Sequence, residues 1–75
     1  MILNKALKQL RILNNMNQRD LANSLGVSPV TINLIEKERQ GVPVDILELY
    51  SKEFDIPISG IWAFAEQMSN NKEES

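Results

Sequence analysis

Two residue types are missing altogether from this chain of 75 residues: cysteine and histidine. Without cysteine there is no disulfide to staple a small fold, and no thiolate to act as nucleophile or soft metal ligand. Without histidine the commonest general base near neutral pH is absent, and so is the commonest metal ligand. Glycine is scarce, with 3 residues, and these never cluster into a loop that could wrap a phosphate. Glu36 and Glu38 are two apart and project differently from one helix, so they cannot cooperate as acid and base. No enzyme, metal or cofactor is expected. Long apolar runs are missing too, and nothing approaches the roughly 18 residues that a membrane span needs. The segment MILNKALKQLRIL is broken by Lys5, Lys8 and Arg11 and has no small-residue cleavage site, so it does not read as a signal peptide. The expectation is a cytoplasmic protein with no membrane partner.

What is present is enough for one small domain. Net charge is −2, but it is unevenly spread. Residues 1–41 hold six basic residues (Lys5, Lys8, Arg11, Arg19, Lys37, Arg39) against Asp20, Glu36 and Glu38, a net of +3. Residues 42–75 hold two basic residues against seven acidic ones, a net of −5. A basic front half suits a domain that offers one face to phosphates; ordinary scatter of surface charge competes with that reading.

Apolar spacing predicts helices throughout. Leu3, Ala6, Leu7, Leu10 and Leu13 recur at three- and four-residue intervals, which marks an amphipathic helix over residues 3–14. Asn17 caps a second helix, QRDLANSL, with Asp20 three residues on to reach back and Gly26 to stop it. Ser28 caps a third, with Pro29 in the first helical position, where its missing N–H costs nothing. This third helix is expected to run to residue 37 or 38. A fourth spans 43–54 and a fifth 58–68, the latter weakened by Gly60. Residues 1–68 thus read as one domain, and the polar stretch 69–75 as a disordered tail. No segment reads as a strand.

Only Gly26, Val27 and Ser28 separate the second helix from the third. Two short helices joined so tightly must cross steeply, with a small residue at the approach, and Ala22 is placed to be that residue. The pair has the form of a helix-turn-helix, whose second helix can enter the DNA major groove. On a wheel of about 100° per residue, Ile32, Ile35 and Glu36 share one side of the third helix. Val30, Leu34 and Lys37 lie on the opposite side, with Asn33 near the boundary.

The stretch LKQLRILNNMNQRDLANSLGVSPVTINLIEKE resembles the Cro and phage-repressor type of helix-turn-helix domain. Leu7, Leu10, Arg11, Asn17-Gln18, Leu21-Ala22, Leu25-Gly26-Val27, Ser28, Ile32 and Ile35-Glu36 carry the likeness. The resemblance implies an all-α, compact five-helix, lambda-repressor-like fold. It also implies a sequence-specific regulator of transcription, of the repressor type found in phages, mobile elements and toxin–antitoxin systems. Its partner would be double-stranded DNA, read at an inverted repeat. By that likeness Arg11 and Glu36 form a structural ion pair. Ser28, Pro29, Val30, Thr31, Asn33 and Leu34 face base edges, while Gln18, Arg19, Lys37, Arg39, Gln40 and Gly41 face phosphates. The chain departs from the family pattern at Glu38, where glycine is usual, and in lacking Gln or Arg at the base-facing positions.

The last helix is apolar almost all round. Ile58, Ile61, Trp62, Phe64, Ala65 and Met68 are expected to form the seam of a homodimer, since a patch of this kind often marks an interface. A competing reading keeps the fold but docks a partner protein through the third or fifth helix.

Overall fold

The computed structural model describes the backbone of residues 2–74 and the side chains of residues 2–70. Among the described residues the chain forms five helices and no strand: α1 (Ile2–Leu13), α2 (Gln18–Leu25), α3 (Pro29–Glu36), α4 (Val44–Phe54) and α5 (Ile58–Glu74). The first four stop in the same way. Each is followed by a residue in the left-handed conformation: Asn15 (φ 57°), Gly26 (φ 76°), Glu38 (φ 59°) and Asp55 (φ 53°). The next amide then reaches back five residues. Met16 N–H donates to Arg11 O at 3.2 Å, Val27 to Ala22 O at 3.0 Å, Arg39 to Leu34 O at 2.9 Å and Ile56 to Ser51 O at 3.1 Å. These bonds satisfy carbonyls that a helix end otherwise leaves orphaned, and they turn the chain sharply.

Sharp turns let α1 pack across α3 and α5, α2 against α3 and α4, and α4 against α5. One core results, built from Leu3, Leu7 and Leu10 of α1, Leu21, Ala22 and Leu25 of α2, Ile32 and Ile35 of α3, Leu47 and Tyr50 of α4, and Ile61 of α5. Ala22 is fully buried, as the crossing of α2 and α3 requires. Gly60, read from sequence as a weakness, has a packing reason: a Cβ there would meet Ile56 Cγ2 at 2.9 Å. The turn between α4 and α5 folds back onto α5 too closely for a side chain.

Two expectations are corrected. The helix expected to end at residue 68 continues to Glu74, and Ser75 lies outside the described residues. No glycine or proline stands between Met68 and Glu74, and once a packed helix exists each added residue needs to fix only its own dihedrals. The second correction concerns Ile61 and Ala65, which are 0 % exposed in the protomer's own core and so are not available to a partner. Of the expected seam, Trp62 is 37 % exposed, and Ile58, Phe64 and Met68 are half-buried.

Candidate nucleic-acid interface

The turn between α2 and α3 is held at both edges. Upstream, Asn17 accepts from Asp20 N–H at 2.7 Å and starts α2. Downstream, the Ser28 hydroxyl accepts from Val30 N–H at 3.1 Å and starts α3, with Pro29 in its first turn. Ile32 and Ile35 are fully buried, which pins one side of α3 and turns the other outward. On that outward side Val30 is 65 % exposed, a large apolar side chain with no core to enter. Ser28, Pro29 and Lys37 are exposed beside it, and Thr31, Asn33 and Leu34 are half-buried. Leu34 is therefore less open than Val30, although both stand opposite Ile32.

Beneath α3 lies a chain of polar side chains. Arg11 grips Glu36 with two bonds, Nε to Oε2 at 2.6 Å and Nη2 to Oε1 at 2.9 Å. Its Nη1 donates to Met16 O at 2.8 Å, fastening the turn before α2. Only 2 % of the Glu36 side chain is exposed, so the carboxylate depends on these donors. The hydrogen bond to Glu36 raises the pKa of Arg11 against the opposing effect of burial. A third donor reaches the same carboxylate: Gln18 Nε2 bonds Oε1 at 3.0 Å. Gln18 Oε1 in turn accepts from Asn33 Nδ2 at 3.2 Å. Arg11, Glu36, Gln18 and Asn33 thus run from the interior to the edge of the exposed face. Close to this chain sits Tyr50, whose pKa is pushed well above the usual tyrosine range by burial and by the Glu36 charge, with Arg11 opposing.

The loop after α3 carries the remaining candidates. Arg39 and Gly41 are exposed and Gln40 is half-buried; Gln18 is half-buried and Arg19 exposed at the start of α2. This loop is held by a residue that sequence reasoning passed over. Asn4 is 1 % exposed, and its Nδ2 donates to Ile35 O at 2.8 Å and to Gln40 O at 3.0 Å. One amide thereby joins α1 to the end of α3 and to the loop beyond it. The signal that could have found it was a polar residue between Leu3 and Leu7, on the apolar face of its helix. On the far side of α2, the Ser24 hydroxyl donates to Glu53 and ties α2 to α4.

The chain matches the family model for helix-turn-helix domains over residues 7–61. No curated protein matches it. Among solved structures it is similar to the crystal structure of the clp gene regulator ClgR from Corynebacterium glutamicum. The TM-score is 0.81 at 21 % identity, covering 97 % of this chain and 81 % of that one, a likeness of fold.

Proposed function

The chain belongs to the helix-turn-helix family of DNA-binding transcriptional regulators, and from that premise we propose that it is a repressor of the phage, mobile-element or toxin–antitoxin type. It binds an inverted-repeat operator as a dimer, with α3 in the major groove. The observation that carries this reading is the exposed ridge of α3 around Val30, set over the buried Ile32 and Ile35. A helix anchored on one side and bare on the other is what a groove accepts. Ser28, Pro29, Val30, Thr31, Asn33 and Leu34 face the base edges. Val30 and Leu34 are apolar, so they pack against thymine methyl groups, and Asn33 pairs with adenine.

Arg19, Lys37 and Arg39 supply charge to the phosphates, with Gln18, Gln40 and the Gly41 N–H as neutral donors. Neutralising phosphates releases counterions, so affinity falls steeply with salt. Trp62 anchors the dimer seam, flanked by Ile58, Phe64 and Met68. Two half-sites about one helical turn apart, near 34 Å, then bind together more tightly than either alone. Selection of bound sequences from random DNA at about 50 mM salt tests the reading, with an inverted repeat as the expected product. Recovery of no preferred sequence under those conditions would sink it.

The exposure of Val30 and Trp62 favours one rival, docking of a partner protein on α3 or α5. Leu34→Lys separates the two: on the DNA reading it changes base preference, whereas on the rival reading it abolishes a protein complex and leaves selected DNA sequences unchanged.

A further inference from the structure

The loop after α3 changes character at Arg39. Up to that residue the end of α3 holds it, with Lys37 N–H on Asn33 O at 2.9 Å and Arg39 N–H on Leu34 O at 2.9 Å. Beyond it, the backbone of Gln40, Gly41 and Val42 makes no hydrogen bond to other backbone among the described residues. Val42 is anchored at the far end by packing against the core. Between these two anchors the tie is a side chain, Asn4 in the first turn of α1. Its Nδ2 carries two hydrogens, and each finds a carbonyl: Ile35 O at 2.8 Å in the last turn of α3, and Gln40 O at 3.0 Å in the loop. The amide fits only this way round, because turned over it would set an oxygen against two acceptors. Asn4 is 1 % exposed, and its Oδ1 has no partner among the described residues. Burying such an oxygen carries a cost that an apolar side chain would not, so the gain from this amide lies with its nitrogen.

Gly41, next to the tied carbonyl, is exposed. Its φ is not positive, and an added Cβ would meet nothing within 4 Å, so the fold itself does not call for glycine there. Without a side chain its backbone is open to close approach from outside. We infer that Asn4 is a positioning residue for phosphate binding: it ties Gln40 to the end of α3, so that Arg39 and the Gly41 N–H stand at a fixed offset from the base-facing ridge. Asn4 is buried and touches no DNA itself. A loop ordered beforehand loses little freedom on binding, whereas a slack one would take that entropy from the affinity. Because one amide holds both α3 and the loop, a phosphate gripped by the loop also sets the register of α3 in the groove. This assignment rests on the DNA-binding reading and deepens its account of the phosphate contacts.

The experiment titrates four full-length proteins, wild type, Asn4→Leu, Arg39→Ala and the double variant, at several salt concentrations. The probe is the DNA that wild type selects from a random pool. Asn4→Leu, close in shape but unable to donate, is expected to lose about tenfold in affinity and to lower the slope of log K against log salt by about 1. Its own selection from the random pool is expected to return the same sequence. In the double variant the losses are expected to overlap and fall well short of the product of the single ones. A structural role alone would lower the urea midpoint of Asn4→Leu but leave the affinity and salt slope of the folded protein intact, and that result overturns the inference. Losses that multiply in full overturn it as well, since Asn4 would then act elsewhere than on the loop. A changed base preference in Asn4→Leu places its effect on α3 and refutes it too. If wild type selects no sequence, the DNA-binding reading itself fails, and this inference with it. Should Asn4→Leu not fold, nitrogen-15 relaxation of the free wild type decides. Order parameters at Gln40 and Gly41 of about 0.85, as in rigid backbone, are expected, and values below about 0.6 sink the positioning role.

Discussion

Glu36 is the residue on which most of the interior chemistry converges. It accepts from Arg11 twice and from Gln18 once, and it lies close enough to Tyr50 to affect its ionisation. Removing Arg11 strands this charge, so Arg11→Met is expected to cost about 3–5 kcal/mol, enough to unfold much of a small domain. Adding Glu36→Met should restore most of that loss, because two packed apolar side chains replace a buried pair without leaving a lone charge. Urea denaturation of the single and double variants checks both. Tyr50 offers the opposite case. Its hydroxyl is buried with no hydrogen-bond partner among the described residues. Tyr50→Phe is thus expected to be neutral or to stabilise by about 1 kcal/mol. Because the folded state holds the phenol neutral above its ordinary pKa of about 10, its contribution is intact below that pH and is lost as pH rises further. The wild type should lose stability above pH 10 more steeply than Tyr50→Phe, measured by thermal melts across that range.

At the scale of the element, the helix ends decide where α3 points. Gly26 sits at φ 76°, and a Cβ added there would have nothing within 4 Å. Gly26→Ala therefore meets no steric clash, and its cost of about 1–2 kcal/mol is that of the left-handed backbone alone. Glu38 holds the same conformation at φ 59° with a side chain that disfavours it. Glu38→Gly releases that strain. The gain is offset by the flexibility glycine adds to the unfolded chain and by the loss of the interaction Glu38 makes, so the fold's stability is expected to change little. The substitution should tighten DNA binding, most visibly at low salt, because it removes a negative charge from a loop offered to phosphates. Melting temperature and salt-dependent titrations report the two effects separately. The cap at Asn17 and the turn at Gly26 are legible in the sequence, because caps and left-handed turns are chosen by one or two residues. The left-handed backbone at Glu38 is not, since nothing in its side chain announces that conformation.

For the molecule as a whole, the question is which apolar surface remains after the core is built. α5 is apolar nearly all round, yet Ile61 and Ala65 are consumed by the protomer's own interior. Among the described residues of α5, Trp62 is the large apolar side chain that stays exposed. Trp62→Ala is expected to leave the fold intact, to shift sedimentation toward the monomer, and to lower affinity for an inverted repeat far more than for one half-site. Equal losses on both DNAs would show that Trp62 is not at the seam. The charge division favours the proposed docking, since residues 1–41 carry a net +3 and residues 42–75 a net −5.

Periodicity and capping act over one or two helical turns. Five helices, the inward face of Ile32 and Ile35, and the outward face of Val30 can therefore be read from neighbouring residues alone. The Arg11–Glu36 pair is reached by a different route, through resemblance to a family. What folding alone decided are the contacts between groups distant along the chain. Asn4 bonds Ile35 and Gln40 across separations of 31 and 36 residues. Gln18 stands between Glu36 and Asn33, and one side of α5 is taken up by the core. Such outcomes depend on which remote group arrives at a given point, and no local pattern of side chains encodes that arrival.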